Sequence, residues 1–368
     1  MLMDPLISRR ALNRATLDRQ LLLSRTDRGV VDVVEHLAGL QAQTPHTWYT
    51  GLWNRIAGFD PVAAGDLLLK RELVRIALQR STIHLVSARD CLAMRPLLQP
   101  VTTRMTRSVF GKRLSGVDLD KLAEAGRELL ASRPMTFAEL GRELAARWPE
   151  ADPHALGQGV RSLVPLVQVP PRGVWGRSGP VAHADAESWL RFRTTPMTAG
   201  ELVERYLAAF GPASVMDMQT WSGLTRLSEV VETLDLRRFG DGSGRVLYDL
   251  PDAPRPPEDV PAPVRLMYDF DNLFLSYADR SRVISDLGGA VLTRFSGTNV
   301  QPRMILVDGF TVGDWTYRRA QGVATLNVHA WQPIKERDEV EKEALALLAF
   351  LAPGDEHEVA FFNASSMG

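Results

Sequence analysis

The chain has 368 residues, 45% hydrophobic and 24% charged, a balance that allows about two or three packed domains and excludes a disordered or fibrous chain. Its single cysteine, Cys91, excludes an internal disulfide and any cysteine-cluster metal site. No apolar run reaches transmembrane length, and the opening "MLMDPLISRRALNRATLDRQ" lacks the apolar stretch and cleavage site of a secretion signal, so a cytoplasmic protein is expected.

The net charge of −1 hides an asymmetry: residues 1–120 carry 17 Lys+Arg against 11 Asp+Glu, and residues 251–368 carry 11 against 17. The basic excess peaks in 71–113, where Arg71, Arg75, Arg80, Arg89, Arg95, Arg104, Arg107, Lys112 and Arg113 face only Glu72 and Asp90. Such a cluster suits phosphate contact even in a neutral chain. Arginine so outnumbers lysine, however, that genome base composition accounts for the bias better than phosphate binding does.

In chain order, "ATLDRQLLLSR" and "DRGVVDVVEHLAGLQA" predict helices, the second with Val30, Val33, Val34, Leu37 and Leu40 at helical spacing. Gln41 and Gln43 fall at the end of that helix, ahead of a break at Thr44-Pro45. "FDPVAAGDLLLKR" predicts a short helix with Pro61 in its first turn. Through "ELVRIALQRSTIHLVSARD" the pattern alternates around Arg80, Ser81 and Thr82, which predicts a hairpin. Three helices and a hairpin are the order of a winged helix-turn-helix.

The pattern returns. "DLDKLAEAGRELLAS", "RPMTFAELGRELAARW" and "DPHALGQGVRSLVPLVQV" predict helices, and "PPRGVWGRSGPVAHA" a wing. Thr136 with Glu139, and later Thr198 with Glu201, form T-x-x-E capping boxes inside a repeated P-M-T-x-x-E-L. "GPASVMDMQTWSGLTRLSEVVETL" predicts two more helices, and "RRFGDGSGRVLYDL" a third hairpin. Three related units are expected, over 1–115, 116–190 and 191–250. After the proline-rich "PDAPRPPEDVPAPV", residues 251–368 read as a small β-rich domain. Its strands are "GAVLTRF", "PRMILVDGFTVGDWTYRR", with a tight turn at Val307-Asp308-Gly309, and "VATLNVHAW"; the helix "ERDEVEKEALALLAFLA" closes it.

No H-E-x-x-H, C-x-x-C, P-loop or G-x-S-x-G stretch occurs, and the histidines show no ligand spacing. Neither a metal nor an organic cofactor is expected. His84, within an apolar strand pattern, reads as a hydrogen-bonded core or wing residue, with a DNA contact as the alternative. Trp48, Tyr49 and Trp53 read as core packing, with stacking on a bound group as the minority reading. "DFDNLFLSYADR" reads as a buried turn in which Asp271 and Asn272 bond backbone amides. Arg280 and Arg282 there could contact phosphates or pair with Asp269, Asp271 or Asp279.

Taken together, "LAGLQAQTP", "STIHLVSARD", "FGPASVMDMQTWSGL", "YDFDNLFLSYADRSRVI" and "VDGFTVGDW" resemble, in order and spacing, the winged-helix DNA glycosylases of the AlkZ type, from about residue 10 to 350. The resemblance implies an α+β fold: three tandem winged helix-turn-helix units plus a C-terminal β-rich, barrel-like domain, arranged as a C around duplex DNA. It implies removal of bulky N7-alkylguanines and unhooking of interstrand crosslinks, in DNA repair or in self-resistance to a DNA-alkylating natural product. The family's catalytic motif is Gln-x-Gln or, in a related branch, Gln-x-Asp; here it matches Gln41-Ala42-Gln43. Its DNA-probing hairpin maps loosely onto "TRFSGTNVQPR", which adds Arg294, Asn299 and Arg303 to Arg71, Arg75, Arg80, His84, Arg104 and Arg107 as expected DNA contacts. The expected partner is double-stranded DNA carrying alkylpurine lesions or crosslinks, met by a monomer.

Two glutamines suit this chemistry. An N7-alkylguanine is cationic, so its departure is already activated, and the sugar left behind is an oxocarbenium-like cation awaiting water. A glutamine carbonyl accepts a hydrogen bond from that water and aims its lone pair. The motif holds no strong acid to help an uncharged base leave and no lysine to form a Schiff base, so release without strand cleavage is expected. A non-catalytic winged-helix regulator is the competing reading, and a protein that sequesters an alkylating toxin is a third.

Overall fold

The computed structural model describes residues 5–295 and 301–363, and two sheets organise it. The first has six strands: β1 (Leu40–Gln41), β2 (Leu73–Ala77), β3 (Ile83–Ser87), β4 (Met135–Thr136), β5 (Leu166–Gln168) and β6 (Ala182–Asp185), in the order β1-β3-β2-β5-β6-β4. β2 and β3 are the hairpin predicted around Arg80, antiparallel from Leu73↔Ser87 to Ala77↔Ile83. β5 and β6 pair beside it, and Arg75↔Gln168 and Ile76↔Val167 join the two hairpins into one sheet.

The sheet is apolar on both faces and is covered on both. One face packs Ile76, Val86, Val167 and Ala184 against Met94, Leu202, Tyr206, Phe210, Met218 and Trp221, from the helices Ala88–Leu97, Ala199–Phe210 and Val215–Ser222. On the other, Leu40, Leu73 and Leu85 pack with Val33, Trp48, Tyr49 and Leu52. Trp48 and Tyr49 are fully buried, with ring centroids 3.7 Å apart, as core packing requires. Both T-x-x-E boxes form: Thr136 and Thr198 cap the helices Phe137–Ala145 and Ala199–Phe210 with reciprocal hydrogen bonds.

A separate ribbon, β7 (Arg237–Gly240) with β8 (Val246–Asp249), is the third predicted hairpin. The second sheet comprises β9 (Arg265–Leu266), β10 (Arg303–Val307), β11 (Phe310–Ala320), β12 (Val323–Ala330) and β13 (Glu356–Asn363), in the order β13-β12-β11-β10-β9. The helix Arg337–Leu351 lays Val340, Ala344, Leu347 and Leu348 on it.

This sheet corrects the expected fold. β13 and β9 each have one neighbour and do not pair with each other, so the sheet is open and no barrel closes. The barrel-like domain is replaced, among the described residues, by an open five-stranded sheet, within an α+β structure of helices and wing-like hairpins. β13 runs parallel to β12, from Val323↔Glu356 to Ala330↔Asn363, with the helix Arg337–Leu351 as the crossover a parallel pair needs, and it forms one edge while the two-residue β9 forms the other. The chain was expected to end on that helix. "GAVLTRF", expected as a strand, lies in the helix Asp286–Arg294, because Ser285 caps its start and Asp286 complements its dipole.

Candidate nucleic-acid site

The helix expected to carry Gln41 ends early, at His36. Ala38 and Gly39 take φ of +52° and +91°, and the chain emerges as β1. Only glycine fits at 39, since a Cβ there would lie 2.7 Å from Val86 Cγ1 and 3.1 Å from Leu85 O. The chain thus crosses directly onto β3, with Leu40↔Leu85 and Gln41↔His84 in register. The glutamines therefore sit on and just beyond a sheet-edge strand, not at a helix end.

The backbone of the Gln41 strand is engaged on both edges. Ala42 N donates to Ile83 O at 2.8 Å. On the free edge of β1, Asn272 Oδ1 accepts from Gln41 N at 3.2 Å, Asn272 Nδ2 donates to Gly39 O at 2.6 Å, and the Tyr268 hydroxyl donates to Gln41 O at 3.0 Å. Asn272 is itself held by its neighbour. Asp271 caps Leu273 N at 2.9 Å and makes a bidentate pair with Arg55, 2.9 Å on each arm and almost fully buried. The buried turn expected in "DFDNLFLSYADR" thus serves as the buttress of the Gln41 strand.

The side chains divide the work. Gln41 is 4% exposed, and its Oε1 accepts from Arg80 Nη2 at 2.8 Å, which settles which way its amide faces. Gln43 is exposed, and its Oε1 accepts from Ile83 N at 3.3 Å, where the β1–β3 ladder ends. Each carbonyl keeps a second lone pair for a water or a substrate hydrogen. Next along the chain, the Thr44 hydroxyl donates to Asp269 Oδ2 at 2.7 Å, while Asp269 Oδ1 is buried without a partner. Asp269 is a residue that spacing did not single out for the site; its place there follows only from the fold.

Arg80 occupies a left-handed turn, φ +54°, followed by Ser81 at φ +60°. Arg161 Nη2 pins that turn through Ser81 O at 2.9 Å, and Arg80 Nη1 reaches Trp221 O at 2.6 Å. Burial, and then the charge of Arg280, lowers Arg80 to about 10, which leaves it protonated at neutral pH. His84 is sealed, 1% exposed, with Nδ1 on Thr82 O at 2.9 Å and Nε2 unpartnered. Burial and the nearby Arg80 charge push its pKa down to about 3, so the imidazole is neutral and is no acid at working pH.

The other expected contacts are dispersed. Arg75 is 1% exposed, on the opposite face of the sheet, and its Nη2 donates to Ala42 O at 2.7 Å. Arg71 lies 3.9 Å over the Trp189 ring and bonds Trp189 O at 2.7 Å. Arg104 and Arg107 are on the exposed face of the helix Gln99–Phe110, and Arg104 Nη2 bonds Gly223 O at 2.6 Å, beside the helix that Arg80 holds. Arg303, on β10, stacks 4.9 Å over Trp315. The Arg294 side chain and Asn299, with residues 296–300 of the expected probing hairpin, lie outside the described residues. The structure thus brings together Gln41, Gln43, Arg80 and His84, and adds Asp269, Asn272 and Tyr268 to them.

No match is found among curated protein sequences. Among solved structures, the Streptomyces sahachiroi DNA glycosylase AlkZ superposes with a TM-score of 0.79 over 97% of this chain and 100% of its own, at 21% identity, a likeness of fold. The family model described as DNA glycosylase AlkZ-like matches residues 34–350. That span takes in the Gln41 strand, the Arg80 turn and the 268–272 buttress, and the chain belongs to the AlkZ-like family of DNA glycosylases.

Proposed function

We propose that the protein hydrolyses the N-glycosidic bond of bulky cationic N7-alkylguanines in duplex DNA and unhooks interstrand crosslinks through such adducts, in DNA repair or in self-resistance to an alkylating natural product. The observation that carries this reading is the site's chemistry. An oriented, buried amide (Gln41) and a solvent-facing amide (Gln43) share one rigid strand edge, and the imidazole beside them is neutral and sealed. Such a site places water well and protonates nothing. It therefore suits a leaving group that is already positively charged, and leaves uncharged bases alone.

In this mechanism Gln43 accepts a hydrogen bond from the water and turns its lone pair toward the anomeric carbon. Gln41, held by Arg80, shares the water or lends its carbonyl dipole to the cationic sugar. The Asp269 carboxylate, one hydroxyl away through Thr44, is the anion of the site: it favours the oxocarbenium electrostatically and can receive the water's proton. The exposed arginines Arg104 and Arg107 supply non-specific phosphate attraction.

The test is incubation with a duplex carrying one N7-methylguanine, followed by assays for free modified base and for an alkali-labile abasic site. Both are expected, with no strand break before alkali. Absence of free base under single-turnover conditions overturns the reading.

A further inference from the structure

We infer that Arg80 and Arg280 form a phosphate seat beside Gln41, which grips one backbone phosphate of the lesion-bearing strand and so sets the sugar against the glutamines. The inference rests on the DNA-glycosylase reading and names a contact that reading leaves open.

Charge balance is the first ground. Several buried or half-buried arginines of this chain have a carboxylate: Arg19 has Asp249, Arg55 has Asp271, Arg205 has Asp90 and Arg282 has Asp217, whereas Arg75, Arg95 and Arg161 bond carbonyl oxygens instead. Among the described residues, Arg80 and Arg280 have none within 4.0 Å. Arg80 spends two of its five N–H groups on Trp221 O and Gln41 Oε1 and keeps three. Among the described residues the Arg280 guanidinium has no hydrogen-bond partner, although the residue is half-buried. Two like charges held partly out of water, each without a counter-ion, are costly unless an anion joins them.

Position is the second ground. One helix, Val215–Ser222, ties the two segments together. Asp217 Oδ1 accepts from Ala278 N at 2.9 Å, next to Arg280, and Trp221 O accepts from Arg80 one helical turn further on. Burial lowers the pKa of both guanidiniums, and the charge of Arg280 adds to the lowering at Arg80. Arg280 also lines an open cavity of about 470 Å³ along the helix Asp286–Arg294, with Ser281, Ser285, Asp286 and Thr293, so a ligand group has room to reach it.

Chemistry picks the anion. The target base is cationic and the sugar becomes so, and neither belongs against two guanidiniums. The phosphodiester attached to that sugar is anionic, and guanidinium geometry matches its oxygens. A seat here fixes the sugar through its phosphate while Arg80 still holds the Gln41 amide.

Arg280 is the cleaner probe, because removing Arg80 also frees Gln41. Binding of the full chain to a duplex with one N7-methylguanine is titrated against salt for wild type, Arg280→Gln and Arg280→Lys, with melting curves to show that each variant is folded. The phosphates flanking the lesion are replaced one at a time by neutral methylphosphonate. We expect Arg280→Gln to weaken binding about tenfold and lower the salt slope by about one, and Arg280→Lys to keep the slope. One methylphosphonate should bring wild type to the level of Arg280→Gln and cost that variant nothing more. An unchanged slope in Arg280→Gln, or independent, additive losses at every phosphate, overturns the seat. The two readings fail separately. Coupling between Arg280 and one phosphate without base release keeps the seat and sinks the glycosylase mechanism. Base release with additive losses does the reverse.

Discussion

The side-chain amide of Asn272 stands in for a missing strand beside Gln41: it accepts from Gln41 N at 3.2 Å and donates to Gly39 O at 2.6 Å, from 231 residues away in the chain. Asn272→Ala strands a buried donor and a buried acceptor, at a cost of about 1–3 kcal/mol for each group left unpaired. Asn272→Asp restores the acceptor only. Both variants should melt earlier and lose base release beyond what their lower folded fraction accounts for, although position 272 need not touch DNA. Undiminished activity per folded molecule in Asn272→Ala argues against the buttress role.

Gln43→Ala removes the exposed carbonyl without opening the core, and single-turnover base release from N7-methylguanine duplex should fall roughly a hundredfold, with duplex affinity unchanged. Gln41→Ala should also slow release and should additionally leave Arg80 Nη2 without its partner. A double alanine variant that still works at the wild-type rate removes the glutamines from the mechanism.

The Arg55–Asp271 pair, 1% and 0% exposed, connects the helix Trp48–Trp53 region to the 271–272 turn. Loss of one partner leaves a buried charge uncompensated, so Asp271→Ala should destabilise by about 3–5 kcal/mol in a denaturant titration, while Arg55→Met with Asp271→Leu together should cost much less. Equal losses in the single and double variants contradict this account.

His84 and His183 both have folded-state pKa values pushed down to about 3, chiefly by burial, against about 6.5 when unfolded. The unfolded chain therefore takes up more protons as pH falls. The stability tied to keeping these rings neutral is complete above about pH 6.5 and is lost on the way to pH 3, at about 1.4 kcal/mol per pH unit for each ring once below the unfolded value. His84→Gln should flatten that acid limb in melting experiments. The rate of base release, in which neither water-holding amide titrates, should be level between about pH 6.5 and 8.

Uracil and other uncharged bases should remain in the duplex at enzyme concentrations that empty an N7-methylguanine site, because the neighbouring imidazole carries no proton to give. Measurable uracil release at neutral pH would place an unrecognised acid in the site.

Much of this architecture was readable in the sequence where a local signal dictates structure. The capping boxes at Thr136 and Thr198, the β2–β3 and β10–β11 hairpins and the helix Arg337–Leu351 all formed as their patterns require. The misreadings share a cause: a tertiary contact overrode a local pattern. Helical periodicity ran through Leu40, but the close pass of Gly39 over Val86 turned the chain into a strand. The apolar "GAVLTRF" looked extended, but the Ser285 cap made it a helix. β13 carries a charged alternation that is ordinary on an edge strand, and its parallel partner lies across a helix, where short-range pattern does not reach. The Gln-x-Gln motif itself was visible. That Arg80 and Asp269 converge on it was not, since one sits in a left-handed turn and the other lies beyond residue 260.

The far-flung buttress of β1 bears on how the protein is made. During synthesis the glutamines leave the ribosome early, but the amide that completes their strand follows only when Asn272 is translated, and Tyr268 just before it. The nascent N-terminal half, sheet and hairpins included, is thus without a finished active centre, and fragments ending before residue 268 should be inert however well they fold. On the proposed mechanism, competence arrives only with these last residues, so an incomplete chain releases no base.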